Sequence, residues 1–168
     1  GIMKKLLPLL IFLLLAGCTQ ADQDALDELY EAFERNHDEL ETEFSTMLEE
    51  MEDSGEADRE AQLKLIYDEM LPAIEDFRRT IHNYSVTGSK HEQLKEEMLT
   101  YIDSLETLVE LNGEFSRTVI NYNPLGDSEF KEEVDAILAE IKSQEELVDE
   151  RYNQIQDHYG ELTPDEGS

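Results

Sequence analysis

Large side chains recur at alternating intervals of three and four residues along most of this chain. Between Asp24 and Asp53 they are Leu26, Tyr30, Phe33, His37, Leu40, Phe44, Met47 and Met51. This spacing aligns them along one face of an α-helix, as the narrow stripe that helix bundles and coiled coils bury. A half-buried β-strand would need an apolar residue at every second position, so the period predicts packed helices.

The second helix is predicted from Asp58 to about Ser85, and Pro72 lies inside it. Its two apolar rows are Leu63, Met70, Phe77 and Tyr84, and Tyr67, Ile74 and Ile81. Proline removes a backbone donor and clashes with the carbonyl four residues earlier, here that of Asp68. We therefore expect a kink near Pro72.

The third helix is predicted from Ser89 to Tyr122 and the fourth from Asp127 or Ser128 to Gly160. The third has the stripe Leu94, Met98, Tyr101, Leu105, Leu108, Asn112, Phe115, Val119 and Tyr122. The fourth has the row Val134, Ile141, Val148 and Ile155, and a second row, Phe130 and Ile137, that continues into Gln144 and Arg151. We expect Leu147 and Tyr152 to replace those two polar residues in the packing stripe.

Three turn signals separate these segments, at Ser54-Gly55, Thr87-Gly88-Ser89 and Asn123-Pro124-Leu125-Gly126-Asp127. Short breaks between long helices favour folding back within one chain. The prediction is an all-α protein, an antiparallel up-down-up-down four-helix bundle over residues 24–160 with coiled-coil-like packing. A longer coiled coil in which helices pair between chains is the alternative, and the polar tail 161–168 is expected to be disordered.

The N-terminal segment has a different composition from the rest. Met3-Lys4-Lys5 precedes the apolar run Leu6–Ala16, and the run leads into Leu15-Ala16-Gly17-Cys18. A basic region, a short apolar region and small residues indicate a secretory signal peptide. A plain signal peptide and a transmembrane helix are the alternatives, although the run is well short of the roughly 20 residues that span a bilayer.

Leu15-Ala16-Gly17-Cys18 resembles the lipobox of bacterial lipoproteins. The resemblance implies that residues 1–17 are removed as a signal peptide and that Cys18 carries a covalent diacylglycerol and an acyl chain such as palmitate. Residues 18–23 would then be a short tether. The protein would be extracytoplasmic and held by its lipid on the bacterial membrane, the cell membrane in Gram-positive species. No other cofactor is expected.

The chain is strongly acidic, with 42 acidic and 13 basic residues and a formal charge of −29. Loss of Lys4 and Lys5 with the signal peptide would make the charge more negative by two, −31. Such a field disfavours nucleic acids and anionic membrane surfaces and favours cationic partners or divalent ions. Solubility in a salty or alkaline medium is the other explanation. Cys18 is the only cysteine, so no disulfide is expected.

Two stretches of the sequence are candidate ion sites. Glu34 and His37 form the only Glu-x-x-His pair in the chain. Dinuclear bundle sites use two such pairs, so no metal centre is predicted there. The loop after the third helix loosely follows a calcium-binding loop, with oxygen donors at Asn121, Asn123, Asp127, Glu129 and Glu132. Its first position is not Asp and its fifth is Leu125, so a capped Pro-Gly turn is the preferred interpretation.

Folding the helices back about the three breaks brings His37 level with Gln144 on the neighbouring fourth helix. One hypothesis is a polar layer in mid-bundle, which would be either a hydrogen-bonded pin of register or the lining of a small pocket. The preferred interpretation is that both side chains reach water at the edge of the stripe.

No sequence motif for nucleophilic, phosphoryl-transfer or zinc-dependent catalysis is present, so no enzymatic activity is expected. The lipobox and the long charged helices resemble those of cell-wall-binding lipoproteins of Gram-positive bacteria, which tend to be richer in lysine. The expected function is non-enzymatic binding or scaffolding of an envelope or cell-wall partner. The alternative is extracytoplasmic binding of a metal ion or small ligand at the polar layer or the 121–132 loop. The oligomeric state is left open.

Overall fold

The computed structural model describes the backbone of residues 2–53, 59–120 and 128–164, and their side chains except those of residues 2–19, 51 and 128. These residues form α1 (Ile2–Asp53), α2 (Arg59–Leu65), a π-helical turn (Ile66–Met70), α3 (Leu71–His82), α4 (Ser89–Ile120) and α5 (Ser128–Leu162). No strand occurs in this part of the chain. The all-helical class is therefore confirmed, with four helical arms that pack against one another. The arms are α1, the interrupted helix 59–82 (α2, the π-turn and α3), α4 and α5.

The arm 59–82 is interrupted where Pro72 led us to expect a disturbance. The π-turn occupies Ile66–Met70, and Pro72 stands at the start of α3. The amide of Leu71 donates to the carbonyl of Ile66, five residues earlier, as the wider π-helical ring requires. Proline cannot donate a backbone hydrogen bond, and the chain accommodates this loss with a wider turn. The arm therefore stays helical on both sides of the turn.

The π-turn changes which residues face the core. Ile66 is buried, whereas Tyr67, predicted on the stripe, is 38% exposed. Beyond the turn the predicted positions Ile74, Phe77 and Ile81 are buried. The wider turn rotates the preceding helix by about one residue relative to the following one, so the stripe before it begins one position earlier than a regular α-helix would give.

The central core joins all four arms. Its fully buried members are Leu26, Leu29, Phe33, Ile74, Ile81, Leu94, Met98, Ile102 and Ile155. The first half of the α4 stripe follows the prediction through Tyr101. In the second half the buried positions are Val109, Gly113 and Ser116, one residue after the predicted Leu108, Asn112 and Phe115.

Residue pairs show how the arms align. Tyr30 stacks on Tyr159 and His37 stacks on Tyr152, so residue numbers increase along α1 as those of the contacting residues decrease along α5. Between α4 and α5, Glu97 contacts His158 and Ser104 contacts Arg151, again in opposite order. No described helix is both long and apolar enough to cross a membrane.

Several predicted boundaries move. Residues 18–23, the predicted tether, lie within α1, which begins well before Asp24. The second arm ends at His82, and Gly88 follows with a φ of +105°, a conformation that glycine adopts without steric cost. At the other end, Glu161 and Leu162 belong to α5, so the part of the predicted tail that is described is partly helical.

Candidate functional site

An aromatic cluster joins α1 to α4 and α5. It consists of Tyr30, Phe33, His37, Tyr101, Tyr152 and Tyr159. His37 stacks on Tyr152 with ring centroids 4.3 Å apart, and Tyr30 stacks on Tyr159 at 3.7 Å. Phe33 is fully buried and meets Tyr101 edge-on at 5.6 Å. The two stacked pairs link α1 to α5 through apolar ring contacts.

Carboxylates of α1 accept hydrogen bonds from the tyrosines of α5. Tyr152 donates to Oε2 of Glu34 at 2.6 Å, and Tyr159 donates to Oδ1 of Asp27 at 2.6 Å. Burial, followed by the hydrogen bond to Asp27, raises the pKa of Tyr159 to about 12. Burial and the bond to Glu34 also raise the pKa of Tyr152. The two phenols therefore stay protonated and act as donors at ordinary pH.

His37 and Gln144, the predicted polar layer, take part in different contacts. The His37 side chain is 15% exposed, stacks on Tyr152 and lies 5.8 Å from the ring of Tyr101. Gln144 donates from Nε2 to the carbonyl oxygen of Ser104 at 2.9 Å. Residues 144 and 152 lie about 12 Å apart along a helix. The structure thus places His37 about two turns from Gln144 along α5.

A second polar group, the Ser104 cluster, consists of Ser104, Gln144 and Arg151. Ser104 is 2% exposed, and its hydroxyl donates to the Thr100 carbonyl at 2.9 Å while Arg151 donates to the same hydroxyl. Gln144 and Arg151 therefore keep their places facing α4. Tyr152 packs against the core as expected, but it does so beside Arg151 and not in its place, because Ser104 supplies hydrogen-bond partners in the seam.

The sequence indicated that Ser104 and Gln144 lie at the same height on neighbouring helices, but it did not indicate that Arg151 joins them. Folding α4 and α5 back about the 121–127 break does bring Ser104 level with Gln144. The hydrophobic period alone predicts that Arg151 is displaced from the stripe. A small polar residue on one helix opposite two long polar residues on its neighbour, seven positions apart, is the pattern that could have identified it.

Glu34, His37 and Asp38 bring their possible metal-ligating atoms within 4.8 Å of one another. Nδ1 of His37 lies 3.4 Å from Oδ1 of Asp38. Oε1 of Glu34 is buried and has no hydrogen-bond partner among the described residues, while Oε2 accepts from Tyr152. A carboxylate and an imidazole at this spacing can bind a divalent transition metal, with Asp38 as a more exposed third ligand.

The remaining predicted site residues are only partly described. Asn121, Asn123 and Asp127 of the loose calcium loop lie outside the described residues, and so does the side chain of Cys18. Glu129 and Glu132 lie on α5 and are exposed. The lipidation of Cys18 and the weak calcium loop therefore stay predictions.

At the far end of the α4–α5 seam, His158 forms an ion pair with Glu97, with Nδ1 and Oε2 2.6 Å apart. The hydrogen bond to Glu97 raises the pKa of His158 above its ordinary value. Leu94 and Leu162 line the same shallow depression beside this pair.

Comparison with protein-family models, with curated proteins and with solved structures finds no match for this chain.

Proposed function

We propose that this protein is a lipid-anchored, non-catalytic component of a bacterial cell envelope, which binds or scaffolds a partner with a basic surface. Its helical domain is an antiparallel up-down-up-down bundle. The opposite residue order of α1 against α5 and of α4 against α5 supports that topology. Lipid on Cys18 holds the bundle at the membrane, as the resemblance of residues 15–18 to a lipobox implies.

The observation that supports the proposal is that several basic side chains make contacts within the fold. Arg78 pairs with Glu75, Asp103 and Glu106. Lys95 donates to the backbone carbonyls of His82 and Tyr84, at 2.8 and 2.5 Å.

Arginine side chains elsewhere are engaged in the same way, Arg151 with Ser104 and Arg117 with Tyr67. These four cations are therefore engaged by groups of the fold itself, and with 42 acidic against 13 basic residues the helix surfaces keep a large negative potential. Complementary charge on a partner would speed encounter and favour that partner over acidic ones.

Photo-crosslinking in the native cell tests the proposal. A photoreactive amino acid replaces Leu138, an apolar residue of α5 that is 45% exposed. Two neutralised variants of equal charge are compared, one with Glu145, Glu146, Asp149 and Glu150 changed to amides and one with Glu39, Glu43, Glu49 and Glu50 changed to Gln. All eight residues are exposed.

We expect one discrete envelope partner to be captured from position 138 and to be lost in the α5 variant only. Equal loss in both variants would indicate non-specific charge attraction. The absence of any discrete crosslink would contradict partner binding through α5.

The anchor is tested separately by Cys18→Ala. We expect this variant to leave the membrane fraction, because the acidic bundle has no attraction of its own to anionic headgroups. Wild type labelled with a radioactive fatty acid should carry the label, and Cys18→Ala should not. A membrane-bound, unlabelled variant would contradict the lipid anchor.

A second candidate function is metal-ion binding at Glu34, His37 and Asp38. The buried, unpartnered Oε1 of Glu34 favours it. Calorimetric titration with zinc should give a saturable heat that His37→Ala abolishes and His82→Ala, at an exposed position on α3, retains. Heat unaffected by either change would place the ion among the surface carboxylates.

A further inference from the structure

A cavity of about 370 Å³ lies between the C-terminal half of α1, the arm 59–70 and the C-terminal half of α4. Its lining residues are mostly apolar: Phe44, Leu48, Leu65, Ile66, Met70, Leu105, Leu108, Val109 and Phe115, with the polar Arg59, Gln62, Asn112 and Ser116. This volume falls within the usual range of small-molecule sites, about 300 to 1,000 Å³.

The cavity occupies positions that the sequence pattern assigns to packed core. Leu105, Leu108, Asn112 and Phe115 are the predicted stripe of α4, yet they line this space. The stripe shifts by one residue because Tyr67 packs against Gly113, where a Cβ would lie only 3.0 Å from its hydroxyl oxygen. Leu48 of α1 faces the same space and is 45% exposed. Within the described part of the chain, an apolar stripe is thus present with no side chain that fills the space beside it.

The lining has a polar end and an apolar end. Gln62 and Ser116 meet at one end, where the Ser116 hydroxyl lies 3.3 Å from Oε1 of Gln62. Arg59 donates to the same oxygen at 2.8 Å. Met70 lies eleven residues further along the arm, at the Leu105 end. The helical rise makes the distance from Arg59 to Met70 about 15 Å.

Arg59 is the charged group at the polar end. Its guanidinium lies 5.1 Å from the centre of the Phe115 ring and makes no ion pair with a carboxylate in the described part of the chain. An arginine has five N–H donors in a planar fork that matches a carboxylate. Asn112, by contrast, donates its side-chain amide to the Leu108 carbonyl of its own helix at 2.8 Å.

We propose that this cavity binds one fatty-acid anion, with its carboxylate on Arg59 and its chain running towards Met70. The apolar lining removes the alkyl chain from water, at about 0.8 kcal/mol per buried methylene group. Binding of the fatty-acid anion does not depend on the proposed partner or on a lipid at Cys18.

The net charge of the protein opposes an anion, whereas Arg59 attracts it at close range. Salt screens the distant carboxylates more than the contact pair, since the screening length is about 8 Å at physiological ionic strength. Binding of the anion should therefore strengthen between low and physiological salt. A surface-bound cation would show the opposite dependence.

Calorimetric titration of the full chain with decanoate, and with decanol as a neutral probe of equal length, tests the proposal. We expect saturable decanoate binding at one site. Arg59→Gln should weaken decanoate binding about tenfold, the effect of a lost charge-assisted pair, and leave decanol binding unchanged. Arg79→Gln removes the same charge from an exposed helix position away from the cavity and should change neither.

Leu108→Trp fills the cavity and should abolish binding of both probes. Because this variant can also disturb folding, methyl NMR of the wild type provides an independent readout. Spin-labelled decanoate should broaden the methyl signals of Met70 and Leu105 before that of Leu138, which lies on the surface of α5. Broadening of Leu138 at the same concentration, or no saturable binding up to about 1 mM, would overturn the proposal.

Discussion

Ser104 shows how one small polar side chain can organise a helix seam. It is almost fully buried, and it receives Gln144 at its carbonyl and Arg151 at its hydroxyl. A buried or half-buried donor without a partner costs about 1–3 kcal/mol, so each member stabilises the others. The cluster also fixes register, since a shift of one residue between α4 and α5 would separate all three.

Ser104→Ala should lower the free energy of unfolding by about 1–2 kcal/mol, because Arg151 loses its acceptor in a half-buried position. The double variant Ser104→Ala/Arg151→Leu should lose less than the sum of the two single variants, because no donor is then left unpaired. Urea unfolding provides the measurement. Thr107→Ala is the control, since Thr107 bonds only to a carbonyl of its own helix and is exposed. Strict additivity of the two changes would contradict the cluster.

Tyr159 makes stability depend on pH in the alkaline range. Its pKa is about 10 in an unfolded chain and is raised to about 12 in the fold, so the folded state holds the proton more tightly. The stabilisation is fully present below pH 10 and is lost as pH rises through 12.

We therefore expect the urea midpoint to fall between pH 10 and 12, and Tyr159→Phe to reduce that fall. Tyr84→Phe, at the end of the second arm and outside the aromatic cluster, is the control. An equally steep fall in Tyr159→Phe would assign the alkaline transition to other groups.

In the arm 59–82 the sequence predicted where the helix is disturbed but not what form the disturbance takes. Pro72 correctly indicated a disturbed turn, because the missing donor and the steric clash follow from proline alone. The form of the disturbance depends on tertiary packing. A kink and a π-turn both accommodate proline, and the burial of Ile66 and the contact of Tyr67 with Gly113 are the tertiary contacts that favour the π-turn.

Substitution of Gly113 tests the contact between Tyr67 and α4. Alanine is favoured over glycine inside a helix by about 1 kcal/mol, but its Cβ would crowd Tyr67. Gly113→Ala should therefore stabilise by less than about 0.5 kcal/mol in the wild type and by about 1 kcal/mol in a Tyr67→Ala background. Thermal unfolding measured by circular dichroism in the far ultraviolet gives both values.

Gly160→Ala is the matched control, because no atom of the described residues lies within 4 Å of a Cβ there. It should have the same effect with or without Tyr67. If Gly113→Ala behaved as Gly160→Ala does in both backgrounds, the proposed packing of Tyr67 against α4 would be wrong.

At the scale of the whole molecule, periodicity was sufficient to predict an all-helical chain and the approximate bounds of four arms. It could not predict the cavity. A stripe of leucines indicates a buried face, but whether a neighbour covers that face depends on how the other helices align. The aromatic contacts of His37 were missed for the same reason, since a shift of two turns on α5 exchanges one set of neighbours for another.

The acidic surface should make the fold more stable in salt. With a formal charge of −29, repulsion between carboxylates opposes the compact state, and salt screens it. The melting temperature should rise between low salt and about 0.5 M NaCl, where the Debye length is only a few ångströms.

The variant with Glu145, Glu146, Asp149 and Glu150 changed to amides should show a smaller rise. A melting temperature that stayed constant or fell with NaCl would mean that the ion pairs of Arg78 and His158 outweigh the repulsion.

The stacked rings of Tyr30 and Tyr159 have a practical consequence. The chain contains seven tyrosines and no tryptophan, so its absorption between 270 and 290 nm comes almost entirely from phenol rings. Two of these rings lie 3.7 Å apart and nearly parallel, one on α1 and one on α5. Electronic coupling between them would give a signal that disappears when α1 separates from α5. The molecule thus carries its own optical reporter of that separation, readable in the purified protein without any added dye.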